Sequence, residues 1–153
     1  MKNLSKSYLA AIAMIMALSF ISGCNNDDPE PSAKEKQTDL LAKKWNIETE
    51  VNSVTVNGDD DTDHWPGFTV TFYSNGTYVA SNISEERLNA VWSSSGDWQF
   101  KSDTNLNTIV RDDGVEINIS IDEANLSMSF SYAQSNGRVS AIDGEWVFHM
   151  RVH

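Results

Sequence analysis

From Trp45 onward, apolar and polar residues alternate in short runs, and this period of two restricts the fold more than any other feature of the chain. Phe68, Val70 and Phe72 alternate with Thr69, Thr71 and Tyr73. Ile117, Ile119 and Ile121 alternate with Glu116, Asn118 and Ser120. Leu126, Met128, Phe130 and Tyr132 alternate with Ser127, Ser129 and Ser131. Trp146, Phe148, Met150 and Val152 alternate with Val147, His149, Arg151 and His153. Successive side chains of an extended backbone point to opposite faces, so each run is a strand with one buried and one wet face. Between the runs lie Asn75-Gly76, Asp113-Gly114 and Asn136-Gly137, pairs that accept the positive φ of a two-residue hairpin turn. About eight strands follow, near 45–56, 67–73, 76–83, 91–100, 106–111, 115–122, 125–134 and 144–152.

Sequential hairpins make an antiparallel up-and-down meander. With about eight strands, closure into a small barrel is the most economical end state, because it removes exposed edges. The expected class is therefore all-β. An immunoglobulin-like sandwich is the runner-up, without its Cys…Trp…Cys pattern. Ser84-Glu85-Glu86-Arg87 reads as a capped helical turn or loop between strands.

The N-terminal part follows other rules. Residues 1–7 are positively charged, and residues 8–21 form an apolar run too short to span a bilayer comfortably. The chain has one cysteine, which cannot form an internal disulfide and needs another explanation. Ile21-Ser22-Gly23-Cys24 resembles the bacterial lipobox. The resemblance implies a signal peptide over 1–23, cleavage after Gly23, and palmitate-type acyl chains on Cys24 and its amino group. Each buried methylene contributes about 0.8 kcal/mol, so two or more chains anchor stably to a membrane. Asn25 in place of Asp favours the outer membrane by the sorting rule of enteric bacteria. Asn25-Asn26-Asp27-Asp28-Pro29-Glu30 resembles the acidic tether of surface-exposed Bacteroidetes lipoproteins. Residues 25–37 hold two of the three prolines and lack large apolar side chains, and read as a disordered tether. Thr38 reads as an N-cap for a short helical turn over 39–44, which opens a domain spanning 38–153.

Charge removes one class of partner. The leader holds Lys2 and Lys6 of the 11 basic residues and none of the 22 acidic ones, leaving a formal charge of −13 after cleavage. Such a surface repels phosphate backbones, so nucleic-acid binding is excluded.

Several stretches in order are similar to the lipocalin-like domains of Bacteroidetes lipoproteins. They are Leu40-Leu41-Ala42-Lys43-Lys44-Trp45, Gly67 to Phe72 running on to Asn75-Gly76-Thr77-Tyr78, Val91-Trp92 to Phe100, Ile109 to Gly114, and Gly144-Glu145-Trp146-Val147-Phe148. The resemblance covers residues 40–150. Lys43 departs from it, since lipocalins usually carry Gly two residues before the first-strand Trp. The resemblance implies a lipocalin-like barrel and a small apolar or amphipathic ligand, and a monomer is expected. It also implies that Arg151 of the last strand stacks on Trp45.

The residues weighed as chemistry point away from catalysis. Asp59, Asp61 and Asp63 have the spacing that opens a calcium loop, but His64 and Val70 stand where Gly and Glu are required. The run reads as a solvated hairpin tip. His149 and His153 would lie roughly 13 Å apart on one strand face, too far to share zinc. His64 stands alone, and all three histidines read as surface residues. Glu85-Glu86 and Asp112-Asp113 sit in turns. Ser127, Ser129 and Ser131 read as the outward face of a strand. No cofactor and no enzyme activity are expected.

Two function classes remain. One is a binding module, with Trp92, Phe72, Phe100 and Phe130 lining the ligand and the Ser84–Asn89 loop supplying polar groups. In that reading Trp92 is either a stacking surface or a plug for the barrel mouth. The other class is a non-enzymatic interaction or structural lipoprotein with a filled barrel. An eight-stranded interior holds its own side chains or one small ligand. Phe68, Phe72, Trp98, Phe100, Phe130, Trp146 and Phe148 leave at most a small apolar cavity.

Overall fold

The hairpins are set by residues at positive φ. Asn57 (φ 53°) and Gly58 (φ 86°) form a two-residue turn, a pair the sequence reading did not single out. At Asn75-Gly76 and Asp113-Gly114 only the glycines are left-handed, with φ of 86° and 84°. Tyr73 N–H donates to Thr77 O and Arg111 N–H to Val115 O, so these loops have three residues rather than the expected two. A type I turn closed by a left-handed glycine gives the same chain reversal.

The computed structural model describes residues 29–48, 50–85, 88–133 and 142–152. The stretch read as a leader, Cys24, the part of the expected tether up to Asp28, Glu86, Arg87, Asn136-Gly137 and His153 lie outside the described residues. The elements are α1 (Ala33–Leu41), β1 (Lys44–Ile47), β2 (Val54–Val56), β3 (Asp59–Asp60), a 3-10 turn (Thr62–His64), β4 (Thr69–Phe72), β5 (Thr77–Ser81), α2 (Leu88–Val91), β6 (Ser95–Ser102), β7 (Asn105–Arg111), β8 (Glu116–Ile121), β9 (Asn125–Tyr132) and β10 (Gly144–Val152). The antiparallel ring runs β1-β4-β5-β6-β7-β8-β9-β10 and closes by β1 on β10, an eight-stranded barrel. The all-β, up-and-down expectation is met.

Two expected elements differ. The first strand is not continuous from 45 to 56. β1 pairs with β10 through Ile47↔Met150, and β2 resumes at Val54↔Phe148, so only His149 of β10 separates the two ladders. The excursion lets the β2–β3 hairpin rise beside β10. The helix starts before Thr38, inside the stretch read as tether. Ser32 accepts from Glu35 N–H and Glu35 accepts from Ser32 N–H, a reciprocal capping box. Thr38 instead donates its hydroxyl to Lys34 O within α1. The polar composition that suggested disorder is the wet face of α1, tied down by Lys34–Asp103 and by Gln37 Nε2 donating to Leu106 O.

Inward side chains of the ring fill a single core. At the end carrying α1, Leu41 and Trp45 are fully buried and Trp45 Nε1 donates to Leu41 O at 2.9 Å. At the other end, Trp65 follows the 3-10 turn and Trp92 follows α2, and both are fully buried. Gly96 pairs with Tyr78 across β5–β6; a Cβ there would come within 2.7 Å of Asp112 Oδ1 and 2.9 Å of the Tyr78 ring, so glycine allows this close approach.

Candidate functional site

The barrel axis is occupied by the chain itself. Trp65 lies edge-on to Phe68 and Phe148 at 5.0 Å and to Trp146 at 5.8 Å. Trp92 packs on Phe68, Phe130 and Phe148 at 5.7–5.9 Å. Of the four residues read as ligand-lining, Trp92, Phe72 and Phe130 are at most 2 % exposed and Phe100 is 8 %. Phe72 and Phe100 share a neighbour, Trp98, at 5.8 and 5.3 Å. The structure makes them packing partners in the core, and Phe130 also borders the cleft described below. Trp92 Nε1 is buried without a hydrogen-bond acceptor.

Beside Trp92 stands a buried cation that the sequence reading passed over. Arg111, 2 % exposed, faces inward at the end of β7, its guanidinium carbon 5.0 Å from the Trp92 ring and 5.8 Å from Phe130. Nη1 donates to Val91 O at 2.9 Å, and Nε donates to Asp113 Oδ1 at 3.1 Å while Nη2 pairs with Oδ2. Burial pushes the Asp113 carboxyl up. The Arg111 hydrogen bonds and charge, with a bond from Val115 N–H, outweigh it and leave the group below the usual carboxylate range. Burial also raises the Tyr78 phenol, against the opposing pull of Arg111. Arg111 thus clamps α2 and the β7–β8 turn to the plugged end.

Asp113 reaches from this clamp to a cleft of about 820 Å³ in the outer wall, between β8 and β9. Its walls carry Glu116, Asn118, Ser129, Ser131 and Glu145 from the wet strand faces, with Phe130 and Ala90 behind them. The cleft exists because the ladder is incomplete. β9 pairs with β10 as far as Tyr132↔Gly144, but with β8 only as far as Ser129↔Asn118. Backbone directions follow from the neighbours. Glu145 O accepts from Asn57 N–H and His149 N–H donates to Ser53 O, so the odd residues of β10 turn away from β9. Across a non-hydrogen-bonded pair the partner turns the other way, so Ser131, opposite Glu145, directs its N–H and C=O at the cleft. Arg111 N–H donates to Val115 O, which by the same alternation directs Glu116 at the cleft from the β8 side. Among the described residues no strand lies between them.

No family model, curated protein or solved structure matches this chain.

The other candidates from the sequence are scattered. The acidic run is not simply a solvated tip: Asp60 accepts from Asn52 N–H and Thr62 N–H, and Asp61 Oδ2 accepts from Trp65 Nε1 at 3.0 Å. These carboxylates fold the loop that carries Trp65 into the barrel. Among the described residues no three His, Cys, Asp or Glu side chains gather as metal ligands would. His64 lies 3.8 Å from Asp61 and 3.7 Å from Glu85, and His149 is exposed. Ser129 and Ser131 do face outward, and there they line the cleft. The Arg151–Trp45 stack is absent. Arg151 faces outward opposite Asn46 and pairs with Glu48, whereas Trp45 is one position along β1 and faces inward. Strand alternation puts the two groups on opposite sides of the wall, and the buried cation–indole contact is made by Arg111 and Trp92 instead.

Arg111 and Trp65 were each within reach of a signal. Arg111 shares parity with the buried Ile109, and Trp65 is a large apolar residue stranded in a loop. A formal charge and the lack of alternation concealed them.

Proposed function

We propose that this chain is a lipid-anchored envelope protein whose lipocalin-like barrel is a filled, non-catalytic scaffold for contacts made on its outer surface. The lipobox resemblance supports the anchor at Cys24, and the closed eight-stranded ring supports the lipocalin likeness. The observation that carries the reading is the plugged axis: Trp65, Trp92, Trp146 and Phe148 are all fully buried against one another. A container needs an apolar space of about 300 Å³ or more for a drug-sized guest. The space of that size described above lies on the outer wall and is lined by carboxylates, hydroxyls and an amide.

A second reading, a small guest held inside, has one observation in its favour. The Trp92 indole N–H is buried without an acceptor, and a guest or a water molecule could supply one. Fluorescence titration with fatty acids and other small amphiphiles separates the two, together with native mass spectrometry of protein purified from its own host. The scaffold reading expects no saturable change in Trp emission and no co-purifying ligand. A stoichiometric ligand, with quenching abolished in Trp92→Ala, overturns it. For the anchor, Cys24→Ser is expected to move the protein from membrane to soluble fractions.

A further inference from the structure

We propose that the cleft between β8 and β9 receives an extended peptide segment of a partner protein, alternating basic and apolar residues, as an added strand along the edge of β9 that no described strand pairs. The proposal rests on the outer-surface reading above. Three observations carry it. The backbone groups of Ser131 and Glu116 face the cleft from its two walls, and the β8–β9 ladder stops short of them. An unpaired strand edge is a template for another extended chain, which main-chain hydrogen bonds hold. The cleft also carries carboxylates: Asp113, Glu116 and Glu145 line it, Asp113 paired with Arg111 and Glu116 with Lys101, and among the described residues no Lys or Arg lines it.

The two faces of the cleft then fix the pattern of the guest. On an added strand, every second side chain lies on the outer face, beside Glu116 and Glu145. Those positions suit Lys or Arg. The alternate side chains turn inward against Phe130, Val115 and Ala90, and suit Val or Ile. The formal charge of −13 on the chain after the leader steers a basic segment toward this surface and repels an acidic one.

The test uses the chain from Asn25 onward, which retains the whole compact unit Pro31–His153. Three capped synthetic heptapeptides serve as probes: Lys-Val-Lys-Val-Lys-Val-Lys, its Glu-for-Lys counterpart, and the basic sequence N-methylated at alternate residues. In the free protein, the Ser131 and Glu116 amides are expected to exchange with solvent much faster than that of Ser129. The basic peptide is expected to bind, to slow the Ser131 amide at least about tenfold, and to weaken as salt rises. The acidic and N-methylated peptides are expected not to bind. The pair Glu116→Gln and Glu145→Gln is expected to weaken binding about three- to tenfold. Equal binding of the N-methylated peptide overturns the added strand and leaves only charge attraction. Slow exchange of Ser131 in the free protein, self-association through this edge, or no binding of the basic peptide also overturns it. Failure here with amphiphiles still excluded leaves the scaffold reading standing, whereas a saturable amphiphile removes that reading first.

Discussion

Phe130 has two environments, and they are built on different terms. Its ring lies parallel to Phe148 at 5.9 Å and against Trp92 at 5.7 Å, inside a core where these three side chains are at most 2 % exposed. The strand that carries it borders the cleft, among serines, carboxylates and backbone groups that no strand among the described residues meets. Burial of aromatic area holds the inside together and leaves it little room to change. The outside, made of exposed polar groups, is expected to contribute less to stability. Substitutions on the two sides should therefore differ in size as well as in kind.

The largest effect is expected at Trp65. It is fully buried, edge-on to three aromatic rings, and held by Asp61 through its indole N–H. Trp65→Ala removes the buried area and leaves a cavity, for an expected loss of about 3–5 kcal/mol. Urea denaturation read by CD measures it. A loss under about 1 kcal/mol would mean that this end of the barrel is loosely packed, and the contrast with the cleft would fail there.

Arg111 sits on the border and should be intermediate. Arg111→Met keeps much of the side-chain volume, removes the charge between Trp92 and Phe130, and frees Asp113. Removing one partner of a fully buried pair costs about 3–5 kcal/mol. Asp113 is about one-third exposed, so roughly 2–3 kcal/mol is the expectation here. The pH dependence checks the same clamp. Asp113 titrates below its ordinary value in the folded chain, so its contribution is present above the unfolded carboxylate value of about 3.9 and is lost as pH falls toward the lowered one. The unsubstituted protein should therefore lose more stability between neutral pH and pH 3 than Arg111→Met does. Equal losses would show that the pair does not link Asp113 to folding.

The same division explains what the sequence disclosed. Strand alternation is a local property, and it placed Ile117, Ile119, Leu126, Met128, Phe130, Trp146 and Phe148 on inward faces, where all are buried. Closure followed from the number of strands. The start of α1 was missed because Ser32 and Glu35 form a capping box inside a stretch whose composition argued for disorder. Trp65 enters the core through bonds from an acidic loop, which no period reveals. The cleft was out of reach for a different reason. It arises where the two ladders of β9 end at different residues, at Tyr132↔Gly144 with β10 and at Ser129↔Asn118 with β8, and alternation does not reveal where a ladder stops.

The smallest effects on stability are expected at the cleft, and there a near-zero value is the informative one. Glu116 pairs with Lys101 at 2.6 Å, with both side chains about half exposed. Exposed pairs of this kind contribute about 0–1 kcal/mol. Glu145 accepts from the Ser131 hydroxyl on the wet face of the sheet, and both residues are exposed. Removing either carboxylate also relieves repulsion on a chain with 22 acidic and 11 basic residues. Glu116→Gln and Glu145→Gln should therefore each change the unfolding free energy by no more than about 0.5 kcal/mol in either direction. Denaturation midpoints at low and moderate salt would check this, with the small differences shrinking as salt screens the surface. Retained stability would leave the carboxylates available for a partner. A loss above about 1 kcal/mol from either substitution would instead tie them to folding, and the cleft would become part of the scaffold rather than the surface it presents.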